Sequence, residues 1–90
     1  MAEELVGLIP KKINADAVHR FREEQVLYEK FGKEGMTLYV HIDGKRTLAE
    51  ILTSSGMDET KMLEIIGEME RLGMIKVSTV FELEAEEEGK

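Results

Sequence analysis

The strongest constraint on this chain lies between Thr47 and Gly73, where successive punctuation signals mark out two short helices. Thr47 is followed three residues later by Glu50, the spacing at which each side chain reaches the other residue's free backbone N–H at a helix start. Gly56 stands where a left-handed cap ends a helix, so this first helix spans Leu48 to Ser55. Asp58 caps the next one, Met57 and Met62 flank that cap as a hydrophobic staple, and Gly73 stops it. Inside it, Met62, Ile65, Ile66, Met69 and Leu72 recur at i, i+3, i+4, i+7 and form one apolar stripe. Each buried side chain of this kind contributes roughly 1.5 to 3 kcal/mol, so the stripe can dominate the core of a small domain.

Upstream, "ELVGLIPKKI" carries an apolar run closed by the only proline and reads as a strand or docked arm, residues 1–13. Asn14 is the expected N-cap of a helix from Ala15 to Phe31, with Phe21, Leu27, Tyr28 and Phe31 on one broad face and Gly32 as its end. Residues 36–43 are ambiguous. Met36, Leu38, Val40 and Ile42 alternate with polar residues as in a half-buried strand, while a helix running into the Asp43-Gly44 turn competes. After Gly73, "MIKVSTVFELE" is β-branched and apolar, a strand or tight hairpin. The domain proper is expected over residues 14–84, with an acidic, disordered tail at 85–90. The fold class is therefore mainly α with a small β component.

Composition narrows the function. Hydrophobic residues make up 42% and charged residues 34%, the balance of a soluble globular chain. No apolar run approaches the roughly 18 residues of a membrane span. The start "MAEE" has no basic leader region, so a cytoplasmic location and no membrane partner are expected. Without cysteine there is no disulfide, thiolate metal site or cysteine nucleophile. His19 and His41 belong to no metal-ligand spacing, "FGKEGMT" is not a phosphate loop, and the carboxylates form no identifiable catalytic pair. The expectation is a non-enzymatic chain without cofactor or metal. Charges balance over residues 1–47, so the second half carries the whole net charge of −7 and would meet a polyanion unfavourably.

The order helix, ambiguous segment, helix, tight turn, helix, β segment resembles the winged-helix branch of the helix-turn-helix superfamily over residues 15–82. The resemblance is carried by "IDGKRTLAEILTSSGMDETKMLEIIGEMERLGMIKV". Similar "DGxRT" openings occur in small winged-helix domains that bind proteins or peptides, including the peptide-binding chaperones of pyrroloquinoline quinone biosynthesis. The resemblance implies a three-helix, winged-helix-like domain with short strands or a wing. It also implies either a protein-interaction or regulatory module, or a DNA-binding transcriptional regulator.

Between these, the helix from Asp58 to Leu72 is the discriminating element, because in a DNA reader it would enter the major groove. Its polar face offers Lys61, Glu64, Gly67, Glu68 and Arg71, in which acids offset bases. Protein docking is therefore favoured, at a groove between this helix and the β segment rimmed by those residues. Gly67 would either leave a notch for another backbone, crowd the first helix, or simply be tolerated. The DNA alternative rests on Lys11, Lys12, Arg20, Arg22, Lys45 and Arg46, should the N-terminal arm fold back to gather them. A homodimer is a further expectation: Val77 to Glu82 offers an edge strand, and the resemblance implies pairing through the first helix or the terminal segments.

Overall fold

Capping chemistry sets the helix ends at the centre of the chain. In a computed structural model, which describes residues 5–14 and 16–82, Thr47 and Glu50 form the reciprocal capping box, and Gly56 ends the helix in the left-handed region. The elements in order are β1 (Leu8–Lys12), α1 (Ala17–Phe31), α2 (Lys33–His41), α3 (Leu48–Ser55), α4 (Glu59–Arg71) and β2 (Ile75–Thr79). The protein is thus mainly helical with a small antiparallel sheet. The expected acidic tail at 85–90 lies outside the described residues.

Helix α1 begins later than expected. Asp16, not Asn14, is its N-cap, the Asp16 carboxylate accepting the His19 backbone N–H at 2.9 Å. Asn14 is drawn away by a buried acid: its side-chain amide donates to Glu23 at 3.0 Å. Gly32 alone connects α1 to α2, at φ 69° and ψ −149°, a backbone region open to glycine and costly for any other residue. The chain therefore turns sharply, and Gly35 brings the first turn of α2 against α1. A Cβ built on Gly35 would lie 2.8 Å from the Leu27 carbonyl oxygen and 3.0 Å from Phe31 Cβ.

The ambiguous segment is helical. Gly35, Leu38, Tyr39 and Ile42 are the positions it buries, at helical spacing, whereas Val40 is 65% exposed. The alternation of apolar residues mimicked a strand, but two of its four members do not face the core together with Leu38 and Ile42. The core gathers Leu27, Leu38, Tyr39, Ile42, Leu48 and Ile51 around the α4 stripe of Met62, Ile65, Ile66 and Met69. Leu72, expected in that stripe, sits at the helix cap and is 38% exposed.

The segment after Gly73 is one strand and not a hairpin. β2 pairs with β1 in antiparallel register, from Leu8 opposite Thr79 to Lys12 opposite Ile75. Flanking bonds from Ile13 N–H to Met74 and from Val80 N–H to Gly7, both 3.0 Å, place the bonded pairs at alternate positions. Pro10 and Val77 consequently face each other as a non-bonded pair, so proline's missing N–H removes nothing from this ladder. The strand stops at Thr79, short of the expected Glu82, because Thr79 and Glu82 make a second capping box. Glu82 N–H donates to Thr79 Oγ1 at 3.0 Å, and Thr79 N–H donates to Glu82 Oε1 at 3.3 Å. Residues 80–82 turn helical.

Candidate interaction surface

A buried polar cluster holds α1 in place. Glu23 is one of the two polar residues buried among the described ones, and a carboxylate taken from water is tolerated only when its oxygens are satisfied. Tyr39 of α2 donates its hydroxyl to Glu23 Oε1 at 2.6 Å, and Asn14 covers Oε2. Burial, then the Glu23 carboxylate, push the Tyr39 phenol far above its ordinary range, so it stays a donor. Lys12 of β1 lies over the Tyr39 ring, its ammonium 4.3 Å from the centroid. Desolvation, followed by repulsion from Arg20, lowers the Lys12 pKa. β1, α1 and α2 are thereby locked together beneath the outer face of α1.

The polar face of α4 is largely committed within the molecule. Arg71 grips Glu68 with two bonds of 2.8 and 2.7 Å, and Lys30 of α1 reaches the same carboxylate at 3.3 Å. The Arg71 guanidinium first, and Lys30 after it, hold the Glu68 carboxyl down to about 2. Lys61 extends over the Phe31 ring of α1, 5.7 Å from its centroid. Lys61, Glu68 and Arg71 therefore brace α4 against α1 or one another. Glu64 is exposed. Gly67 is exposed too, and a Cβ there would meet nothing within 4 Å, which rules out crowding against α1 as the reason for glycine.

The expected basic group is assembled in part. The Lys11 side chain lies against the 43–46 turn, its Cγ 3.3 Å from where a Cβ on Gly44 would stand. Lys12 lies close enough to Arg20 for their charges to interact. Arg22, two residues further along α1, is turned by about 200° from Arg20 on the helix and belongs to the outward side. Acidic groups are interleaved throughout. Glu24, Glu23 and Asp43 all act on Lys12, and Asp43 pairs with Arg46 at 3.5 Å. The Asp43 carboxylate also accepts the backbone N–H groups of Lys45 and Arg46, which shapes the turn and lowers its pKa. Lys45 is exposed.

The surface that sequence reasoning missed is the outer face of α1. Phe21 and Tyr28 were expected to share a buried face with Leu27 and Phe31, yet only Leu27 is fully buried and Phe31 is partly so. The inward line of α1 runs through Glu23 and Leu27, and Phe21 and Tyr28 stand about 100° or more away from Leu27 around the axis. With Val18 they form a row at positions 18, 21 and 28, exposed to 61%, 60% and 53%, with exposed Gln25 completing the three- and four-residue spacing. The width of the apolar face in the sequence was the available sign that it is two faces.

The histidines are engaged locally: His19 donates Nδ1–H to Asp16 at 2.6 Å, and His41 donates Nδ1–H to the Thr37 carbonyl at 2.7 Å. Among the described residues no group of three or more potential metal ligands stands together, and no helix is long and apolar enough to cross a membrane. No family model, curated protein or solved structure matches the chain.

Proposed function

We propose that this protein is a non-catalytic, winged-helix-like module that docks a protein or regulates through such contact, and that the outer face of α1 is its docking surface. The observation that carries the reading is the row of Val18, Phe21 and Tyr28, three large apolar side chains more than half exposed on one helix. Scattered apolar residues on a surface need no explanation, but an aligned row does. The helix beneath is held by the Glu23, Tyr39 and Lys30 contacts, so little ordering entropy is lost on docking. The rim on α4 is a poorer candidate, because three of its five residues already have partners in the same molecule. The winged-helix assignment draws on the Asp43-Gly44 turn, the capped α3, the Gly56 turn, α4 and β2 in that order. Its departure from a hairpin wing is that β2 pairs with the N-terminal β1.

A photoreactive phenylalanine analogue placed separately at positions 21 and 64 tests the surface. Protein adducts mapped by mass spectrometry to position 21 and absent from position 64 support it; adducts only at 64, or none at either, overturn it. DNA binding through the Lys11, Lys12 and Arg20 group with Lys45 and Arg46 is the alternative, favoured only by the partial gathering of those residues. Salt-sensitive binding to mixed-sequence duplex in fluorescence polarisation, lost on Lys11→Glu and Lys45→Glu, would replace docking with that function.

A further inference from the structure

We infer that the occupant of the α1 face is a second copy of this chain, its α1 running antiparallel to the first, an assignment that rests on reading this face as a docking surface. The row has the symmetry such a pair requires. Val18, Phe21, Gln25 and Tyr28 are arranged evenly about the level of Glu23. A twofold axis at that level sets Val18 opposite Tyr28 of the second copy, and Phe21 opposite its Gln25, over about 15 Å of helix.

Charge selects the direction. Arg22 and Glu29 lie along the same edge of the row, Arg22 in the first half of the helix and Glu29 in the second. Both are exposed, and neither makes an ion pair among the described residues. In an antiparallel pair the first half of each helix meets the second half of the other, so each Arg22 comes within side-chain reach of the opposing Glu29. A parallel twofold pair would carry the Arg22 and Glu29 edges to opposite sides of the seam, where Arg22 meets the Glu24 flank and Glu29 loses its partner. Glu24, on the other flank, is only partly exposed and acts on Lys12 of its own chain. Contact along one helix of this length buries on the order of 1,000 Å², the low end for a specific interface and the size class of weak, concentration-dependent pairs.

Sedimentation equilibrium of the purified full chain at physiological salt, from about 5 to 500 µM, tests the inference; at that ionic strength the repulsion between two chains of net charge −7 is screened beyond about 8 Å. The mass is expected to rise from 10.2 kDa towards twice that value with concentration. Phe21→Ser should abolish the rise while leaving the helical circular dichroism intact. Arg22→Glu and Glu29→Arg should each weaken association roughly tenfold, and the two together should restore it to near wild type. A monomer at every concentration, a dimer indifferent to Phe21→Ser, or charge exchange without restoration each overturns the antiparallel pair. The photo-crosslinking outcome separates the two proposals: adducts at position 21 to a different protein, with a monomeric mass, overturn the second copy while the docking surface stands.

Discussion

Removing one oxygen from the interior tests whether the Glu23 cluster anchors α1. In Tyr39→Phe the ring remains, so its packing in the core and its contact with Lys12 survive. Lost is the 2.6 Å bond to Glu23 Oε1, on a residue only 9% exposed and therefore poorly placed to recruit water instead. Hydrogen bonds to charged groups contribute about 1.5 to 3 kcal/mol, and that is the expected loss in unfolding free energy. For a domain of this size it corresponds to a fall in Tm of roughly 6 to 24 °C. Urea denaturation followed by circular dichroism at 222 nm, with parallel thermal melts, measures both. The same substitution in a Glu23→Gln background should cost less, about 1 kcal/mol, because the remaining bond is between neutral groups. A loss under about 0.5 kcal/mol in the wild-type background would refute the idea that this bond holds α1 to α2.

Other perturbations give equally direct outcomes. Gly67→Ala should stabilise the protein by up to about 1 kcal/mol, since helix propensity improves and the added methyl meets open space. Gly35→Ala should destabilise it by about 1 to 3 kcal/mol, because its methyl would press on the α1 backbone; urea titration of both variants checks the opposite signs. Asp16, Asp43 and Glu68 have carboxyl pKa values depressed by folding, so the stability they supply is present above their ordinary values of 3.8 and 4.5 and is lost as pH falls towards the folded ones. Stability should therefore decline from about pH 5 towards pH 2, and Glu68→Gln should flatten that decline in pH-resolved denaturation. At the alkaline end, Tyr39 has a raised pKa, so its contribution is complete below the ordinary 10 and is lost above it. In a Tyr28→Phe background, tyrosinate absorbance at 295 nm should appear only as helical ellipticity disappears; ionisation near pH 10 with the helices intact would contradict the buried hydroxyl.

What the sequence disclosed follows the range of the forces involved. Thr47 with Glu50, Gly56 and Asp58 act on their own backbone neighbours, so α3 and the start of α4 were readable residue by residue. The Thr79 and Glu82 box is equally local and went unnoticed beneath the β-branched run that precedes it. Residues 36–43 were not decidable locally. Their alternating pattern fits a strand, and only packing of Gly35 on α1 and Tyr39 on Glu23 selects the helix. The same applies to the α1 face: Phe21 and Leu27 look alike in sequence, and which one faces inward depends on a carboxylate, Glu23, whose partners come from β1's flank and α2. The mixed charge of the α4 candidates is visible in the sequence, but the Lys30 and Phe31 contacts that engage them come from another helix.

The β1–β2 ladder also bears on the order in which the protein can be completed. During synthesis Leu8–Lys12 leaves the ribosome long before Ile75–Thr79 exists, whereas α1 through α4 can consolidate from contacts nearer in sequence. For that interval β1 is a strand without its mate, and bare strand edges invite pairing with the wrong chain. Pro10 breaks one of those two edges as a template, on the side away from the one β2 will later occupy. A residue that is silent in the finished ladder is thus placed where it can guard the unfinished one.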